Sequence, residues 1–237
     1  MWIDDYRLVA HRGLHENGSP VPENSLPAFE RAVTRGQGVE FDVHRTRDGR
    51  LAVFHDYDLR RMTGVEGVVE EQTLDELRAM RLLGTDCCIP ALEEVLEVIG
   101  GKVPIILEIK NDKTENVGRL EPLLMKALAE YQGKLVLESF NPRVVAWLRE
   151  CAPQYIRGQL ACLRDRRDFS FYVRHFLFNP LTQPQFIAYD IDSIDWRVKT
   201  NCRRHNVPLI AWTVRTAEQL NKARRLCDGI IYEGLEL

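Results

Sequence analysis

The stretch GVEFDVHRTRDGRLAVFHD, residues 38–56, decides the fold. It begins with a strand pattern in which Glu40 and Asp42 alternate with apolar residues, so the two carboxylates share one face. Asp48-Gly49 then separates a polar run from an apolar run, which predicts a hairpin turn and an additional short strand ending at His55. Carboxylates on one face of a strand are either exposed to solvent or buried beside compensating positive charges. The rest of the sequence indicates which of the two applies.

Short β-rich runs alternate with amphipathic segments along the chain. The strand candidates are RLVA (7–10), GVEFDV (38–43), PIILEI (104–109), KLVLESF (134–140), IRGQLA (156–161), FIAYDI (186–191), PLIAWTV (208–214) and DGIIYE (228–233). This alternation predicts parallel βα units. In a chain of 237 residues it favours a closed TIM (β/α)8 barrel over an open doubly wound sheet. We expect a single barrel domain over residues 1–237.

Two features depart from a regular repeat. Residues 57–89 form a long polar insertion after the second strand and its hairpin, and its TLDEL stretch (73–77) predicts a small capped helix. We expect this insertion to be a small subdomain within the barrel domain. The final segment, YEGLEL (232–237), is too short for a full eighth helix, which leaves the closure of the barrel open.

Composition excludes several classes of function. The formal net charge of −3, from 32 basic and 35 acidic residues, gives no reason to expect a nucleic-acid groove or a polybasic membrane patch. No apolar run approaches the ~20 residues that span a bilayer, and MWIDDYRL (1–8) lacks the features of a signal peptide. The six cysteines show no C-x-x-C spacing, so we expect reduced thiols in a cytoplasmic protein.

Acidic residues lie at the ends of two neighbouring barrel strands. Glu40 and Asp42 are in the second strand, and Glu108 ends the next one, with Lys110 two residues further. In a closed barrel these side chains converge on the C-terminal mouth, where such enzymes carry their active sites. Three carboxylates suit a hard divalent cation such as Mg²⁺ or Ca²⁺. A structural ion pair between Glu108 and Lys110 is the alternative.

Two histidines directly follow apolar strands. His11 follows LVA and His55 follows LAVF, and such a pair suits general acid–base catalysis near neutral pH. Arg12 and Lys110 suit an anionic substrate, because an arginine can bind a phosphate bidentately. The residues alone therefore indicate metal-assisted hydrolysis of a phosphate ester. The other histidines are interpreted as structural or surface residues: His15, His44, His175 and His205.

The chain resembles the glycerophosphodiester phosphodiesterase family over nearly its whole length. The motifs that carry the resemblance are HRG (11–13), PENSLPAFERAVTRG (22–36), EFDVHRTRDGRLAVFHDYDLRRMTG (40–64), IPALEEVL (89–96), LEIK (107–110), ESF (138–140), AWTV (211–214) and DGI (228–230). The resemblance implies a TIM barrel with an inserted subdomain. It also implies that one divalent cation assists hydrolysis of glycerophosphodiesters to glycerol 3-phosphate and an alcohol.

The resemblance also implies a role for each matching residue. Its acid–base pair would be His11 and His55, its metal ligands Glu40, Asp42 and Glu108, and its phosphate contacts Arg12 and Lys110. Supporting residues would be Glu23, Asn24 and Glu138, with Glu138 as a further ligand or a hydrogen-bond partner. Asn24 or Ser25 can instead cap the following helix. Trp212 would line the pocket for the glycerol or head group, or pack in the core.

Two positions depart from the family pattern, and several alternatives stay open. YEGLEL replaces a more usual Thr-Asp-x-Pro and terminal helix, and His44 occupies a position that is usually polar but not basic. The aromatic run FSFYVRHFLF (169–178) packs against the barrel or forms a lid. The function alternatives are a phosphodiesterase for lysophospholipid-like substrates and a catalytically silent barrel that binds phosphodiesters. The sequence does not specify the head group, the metal, the acid and base assignment, a cyclic or direct route, or the oligomeric state.

Overall fold

The computed structural model describes residues 1–16, 18–111, 113–162 and 179–237. The strands are β1 (Val9–Ala10), β2 (Gly38–Arg45), β3 (Leu51–Val53), β4 (Ile105–Ile109), β5 (Leu135–Ser139), β6 (Ile156–Ala161), β7 (Phe186–Asp190), β8 (Leu209–Val214) and β9 (Gly229–Tyr232). The aromatic run 169–178 and His175 lie outside the described residues.

Helices or short helical turns follow most strands. The α-helices are α1 (Leu26–Thr34), α2 (Arg60–Thr63), α3 (Leu74–Arg78), α4 (Leu92–Ile99), α5 (Glu121–Leu128), α6 (Pro142–Cys151), α7 (Asn179–Thr182), α8 (Trp196–Arg204) and α9 (Ala217–Leu226). The 3₁₀ turns are Trp2–Tyr6, Val69–Glu71, Leu82–Gly84 and Thr114–Asn116. No helix in the described ranges has both the length and the hydrophobicity that crossing a bilayer requires.

Eight parallel strands close into a barrel, which confirms the predicted fold class. The order is β1-β9-β8-β7-β6-β5-β4-β2, and the pairing of β1 with β2 completes the ring. In the pairing of β1 with β9, Ala10 lies opposite Tyr232. The short segment after β9 therefore does not prevent closure, because the strand pairing itself holds the first and last strands together.

The predicted hairpin is also present. β3 pairs antiparallel with β2, with Val43 opposite Val53, and Gly49 has φ +75° at the turn. The insertion that follows carries α2 and α3, and Thr73 caps α3 in a capping box with Glu76. Its apolar side chains bury a separate cluster on β3, which consists of Ala52, Phe54, Leu59, Met62, Val69, Leu74, Leu77, Leu82, Ile89 and Ala91.

Two apolar layers support the barrel. Outward-facing residues of β2 and β4 pack against the surrounding helices, as Phe41 does against Phe29 of α1 with ring centroids 5.4 Å apart. The interior contains Val9, Ile106, Val136, Leu160, Phe186, Ala188, Ile210 and Ile231. Trp2 packs on Phe186 with centroids 5.8 Å apart, and so joins the N-terminal turn to this interior cluster. Because these apolar side chains fill the interior, the charged residues of β2, β4 and β5 lie at the C-terminal end of the barrel.

Candidate active site

Strand register brings the predicted carboxylates together. Asp42 lies opposite Glu108, and Glu108 lies opposite Glu138, across β2, β4 and β5. Glu40 is two residues before Asp42 and points to the same side of β2. All four side chains are buried. Oxygen atoms of Glu40, Asp42 and Glu108 lie within 4.8 Å of one another. The sequence indicated this proximity only through the alternation that places Glu40 and Asp42 on one strand face.

Two cations partly neutralise this cluster. Lys110 Nζ lies 3.0 Å from Asp42 Oδ1 and 2.9 Å from Glu108 Oε1. The backbone N–H of Arg12 donates to Glu40 Oε2 at 3.0 Å, and Arg12 Nε lies 3.6 Å from Asp42 Oδ2. The Glu108–Lys110 ion pair that the sequence left as an alternative is therefore present, but it is shared with Asp42.

The remaining negative charge is large for a buried site. Burial, together with the neighbouring carboxylates, raises the pKa of Glu40 and of Glu138 well above the usual range. Burial works against an ionised Asp42, but Lys110 and other nearby cations outweigh it and hold the pKa of Asp42 low. Glu138 Oε2 accepts no hydrogen bond within the described part of the chain. A cluster of oxygen donors with uncompensated charge and an unused acceptor fits a hard divalent cation.

The loop after β1 places Arg12 by an unusual backbone path. Arg12 has φ 55° and Gly13 φ 78°, and a Cβ added to Gly13 would lie 2.9 Å from the Cβ of Ala28 in α1. Glycine is thus required both for the turn and for the close approach of the helix. The backbone N–H of Asn24 donates to Arg12 O at 2.9 Å, which joins the two halves of the loop.

Glu23 and Asn24 support the cluster from this loop. Glu23 Oε1 accepts from Arg12 at 2.6 Å. Asn24 Nδ2 donates to Asp42 Oδ2 at 3.0 Å, so its side chain binds the site and does not cap α1. Ser25 is the residue at the N-cap of α1 but makes no side-chain capping bond; its hydroxyl donates to Pro22 O at 2.6 Å.

His11 is held by a residue that sequence reasoning did not select. Because Ala10 and Tyr232 are paired, the next residues, His11 and Glu233, meet at the end of the barrel. His11 Nδ1 lies 3.0 Å from Glu233 Oε2, and Arg215 binds the same oxygen through Nε at 3.1 Å and through its terminal nitrogen at 2.8 Å. The sequence contained one indication of this role. In YEGLEL (232–237), the segment that differs from the family pattern, a glutamate directly follows an apolar strand.

Opposing effects fix the protonation of this pair. Burial lowers the pKa of His11 to about 4, although Glu233 opposes the shift. Burial disfavours ionised Glu233, but His11 and Arg215 outweigh it and lower the pKa of Glu233 to about 2. At neutral pH His11 is therefore neutral and donates from Nδ1 to an ionised carboxylate, which leaves Nε2 unprotonated. That Nε2 lies 3.9 Å from Glu40 Oε2.

His55 has a carboxylate partner of its own. Its Nδ1 lies 2.6 Å from Asp56 Oδ1, and Asp56 Oδ2 accepts from Arg61 Nε at 2.6 Å. Arg61 belongs to α2 of the insertion and also donates to both oxygens of Glu23, at 3.0 and 2.6 Å. A continuous set of ion pairs thus joins the insertion, the loop after β1 and His55.

The remaining histidines differ in their surroundings. His44 is buried, and its Nε2 lies 3.2 Å from the carbonyl oxygen of His55, so it is structural. One nitrogen of His15 lies within 4.8 Å of ligand atoms of His11 and Glu233, closer to the site than the sequence indicated. His205 is exposed at the end of α8.

Trp212 lies at the C-terminal end of β8, on the same side as the charged residues. Its ring packs edge-on against Phe140 with centroids 5.5 Å apart. Trp212 is partly exposed, while its indole N–H is covered and donates to no described residue. An aromatic face with an unused donor suits a wall of a ligand pocket more than a sealed core position.

A closed parallel barrel with histidines, carboxylates and cations at its C-terminal mouth defines an enzyme of the (β/α)8-barrel class. The sequence of residues 11–237 matches the glycerophosphoryl diester phosphodiesterase family. A glycerophosphodiester phosphodiesterase from Caldanaerobacter subterraneus subsp. tengcongensis is 31% identical over 249 residues, covering 97% of this chain and 94% of that protein.

Solved structures show the same fold. The glycerophosphodiester phosphodiesterase of Thermotoga maritima superposes with a TM-score of 0.75 at 25% identity, covering 96% of this chain and 94% of that one. An Oleispira antarctica phosphodiesterase, solved with the product sn-glycerol-3-phosphate, gives a TM-score of 0.82 at 21% identity, covering 96% and 92%. The chain belongs to the glycerophosphoryl diester phosphodiesterase family and is a phosphoric diester hydrolase.

Proposed function

We propose that this enzyme hydrolyses glycerophosphodiesters to glycerol 3-phosphate and an alcohol, with a divalent cation at the carboxylate cluster and with His11 and His55 as base and acid. The observation that carries the proposal is the pairing of each histidine with its own carboxylate beside the buried cluster. The product reported for the Oleispira antarctica relative is consistent with it.

His11 is the general base. It is neutral at neutral pH because burial lowers its pKa to about 4, and its Nδ1 is occupied by Glu233. The unprotonated Nε2 can therefore accept the proton of the attacking hydroxyl. Glu233 is a positioning residue, which fixes the tautomer and stabilises the imidazolium that forms.

His55 is the general acid. Its side chain is 32% exposed and that of His11 is 10% exposed, so His55 is the histidine that a departing alcohol reaches more easily. Asp56 accepts from Nδ1, which orients the ring and leaves Nε2 for the substrate. The protonated ring then donates from Nε2 to the leaving alkoxide as its P–O bond breaks.

The carboxylates Glu40, Asp42 and Glu108 would hold the cation, with Glu138 beside them. When bound, the cation polarises a phosphate oxygen and offsets developing negative charge. Arg12 and Lys110 position the phosphate. Both side chains are held beside the carboxylate cluster by their contacts with Asp42, so their positive charges lie where a metal-bound phosphate would be. Trp212 lines the glycerol or head-group side of the pocket.

These residues are compatible with either of two nucleophiles. Attack by the neighbouring glycerol hydroxyl gives a transient cyclic phosphate that water then opens, whereas attack by water gives the products directly.

The test is a phosphodiesterase assay on glycerophospho-choline, -ethanolamine, -glycerol and -inositol, with and without chelator. We expect release of glycerol 3-phosphate, loss of activity on chelation and recovery with Mg²⁺ or Ca²⁺. Full activity after exhaustive chelation would exclude the metal.

A substrate analogue that lacks the adjacent glycerol hydroxyl distinguishes the two nucleophiles. Rapid hydrolysis of this analogue would exclude the cyclic route. Lysophosphatidylcholine, included in the screen, tests the alternative substrate class.

A further inference from the structure

A second charged cavity lies at the opposite end of the barrel. It has a volume of about 280 Å³ and is lined by the C-terminal ends of α8 and α9 and by the N-terminal end of β8. The active site lies at the C-terminal ends of the strands. Because β8 spans six residues at ~3.3 Å each, roughly 20 Å of strand separates the two, and no residue is shared.

This cavity is strongly basic in a chain that is acidic overall. Its lining contains four cations, Lys199, Arg203, Arg224 and Arg225, and one carboxylate, Asp228, whereas the whole chain has a net charge of −3. Arg203, Arg224 and Arg225 line the cavity and are exposed. None of these three guanidinium groups has a carboxylate or carbonyl partner within the part of the chain that the structure describes.

The other polar groups of the cavity are already engaged. Lys199 donates to the carbonyl oxygen of Arg225, and so stabilises the end of α9 as a lysine at a helix C-terminus does. Asp228 Oδ2 accepts from the backbone N–H of Leu209 at 2.9 Å. Arg203, Arg224 and Arg225 lie in the last turns of the two helices, where their charges complement the helix dipoles. Their N–H groups donate to no terminal carbonyl of either helix, so these donors are open to a ligand.

Apart from Asp228, the lining between the basic side chains is uncharged. Cys202 and Cys227 are free thiols, and burial raises the pKa of both to about 12. Leu209, Val207 and Leu226 are the apolar residues of this surface. Three guanidinium groups and one lysine outnumber the single carboxylate of the cavity and attract an anion, and the planar N–H pairs of the arginines match the oxygens of a phosphate.

We propose that this rear basic cavity, formed by Arg203, Arg224 and Arg225 over Cys202 and Cys227, binds a phosphate dianion separately from the active site. The ligand class is a phosphomonoester or inorganic phosphate, free or as the exposed head group of a lipid. Three cations favour a dianion over the monoanionic phosphodiesters of the catalysed reaction. The proposal does not depend on the proposed function, because no catalytic group contributes to the cavity.

The test is titration of the ¹⁵N-labelled enzyme with inorganic phosphate, with backbone amide shifts read separately for the two ends of the barrel. Amides of Val207, Leu226 and Asp228 report on the rear cavity, and Gly13 reports on the active site. We expect saturable shifts at the rear amides. The double variant Arg224→Gln/Arg225→Gln should weaken binding there at least about tenfold, since each lost charge-assisted hydrogen bond has an effect of that order. Shifts at Gly13 should be unchanged.

Arg204→Gln is the matched control, because Arg204 is an exposed neighbour on α8 that does not line the cavity. Its phosphate affinity at the rear amides should be that of the wild type, and Arg203→Gln should weaken binding as a second independent variant. Sedimentation with phosphatidylcholine vesicles, with and without phosphatidic acid, identifies the source: binding that the double variant abolishes supports the site with a lipid head group as ligand.

Three results would overturn the proposal. The first is the absence of rear-amide shifts with phosphate together with no vesicle binding. The second is equal shifts in the double variant and the wild type, and the third is the same shifts with chloride at matched ionic strength. Unfolding of the variants is checked by melting temperature, and Arg203→Gln alone still decides the outcome if the double variant unfolds.

Discussion

Replacing Glu233 with glutamine tests whether His11 depends on the carboxylate that sequence reasoning missed. The substitution keeps the length of the side chain and an acceptor oxygen near His11 Nδ1, which now lies 3.0 Å from Glu233 Oε2. In the proposed mechanism it removes the negative charge that compensates the imidazolium formed when His11 accepts a proton. Because that charge matters most in the transition state, we expect kcat to fall and KM to change little.

The magnitude follows from the type of contact and its exposure. A hydrogen bond to a charged group contributes about 1.5–3 kcal/mol. The side chain of Glu233 is 23% exposed and that of His11 is 10% exposed, so solvent screens the pair only in part. An effect of about 2–3 kcal/mol corresponds to a decrease in kcat of roughly 30- to 150-fold.

The assay is steady-state hydrolysis of a glycerophosphodiester, with melting temperature measured in parallel. Glu233→Asp keeps the charge at a shorter reach and should recover part of the loss, whereas Glu236→Gln alters an exposed neighbour and should match the wild type. The reasoning is refuted if Glu233→Gln keeps full kcat, or if Glu233→Asp is as impaired as Glu233→Gln while both fold normally.

The remaining predictions concern the other groups of the site. His55→Ala should lose roughly 10²–10⁴-fold in kcat, whereas His205→Ala should be near wild type; equal losses would indicate destabilisation. Glu40→Gln should weaken metal affinity, measured by calorimetry, without lowering the melting temperature, and unchanged affinity would remove Glu40 from the ligand set. Replacing residues 57–89 with a short turn should change relative rates between head groups, because Arg61 reaches the site, and constant ratios would make the insertion a scaffold. Gly13→Ala should destabilise the fold by about 1–3 kcal/mol, measured by urea unfolding, and unchanged stability would contradict the close packing on α1.

The linear pattern was sufficient for the architecture. Eight apolar runs alternating with amphipathic segments predict the parallel barrel, and Asp48-Gly49 predicts the hairpin, because strand and turn preferences are local properties. The same pattern places Glu40, Asp42 and Glu108 at the mouth, since parallel strands end on one side of the sheet. The order of motifs then indicated the family, which the comparisons confirm.

The partners of these residues depend on contacts between distant parts of the chain. Glu233 meets His11 across 222 positions only because β1 and β9 close the barrel with Ala10 opposite Tyr232. Arg61 reaches Glu23 because the insertion folds back onto the loop after β1. The side chain of Asn24 has two plausible partners in the sequence, the start of α1 and a distant carboxylate, and the fold places it on Asp42.

The sequence by itself therefore determined the barrel, the family and the identity of the charged groups. Strand and helix periodicity and motif spacing are properties of residues close together in the sequence, so no tertiary contact is needed to recognise them. Only the tertiary structure decided which carboxylate holds which histidine and how the buried charges are shared, and it alone brought the arginines of two helices to one rear cavity. Those properties arise from strand register and barrel closure, which place side chains within hydrogen-bond distance without leaving a pattern along the chain.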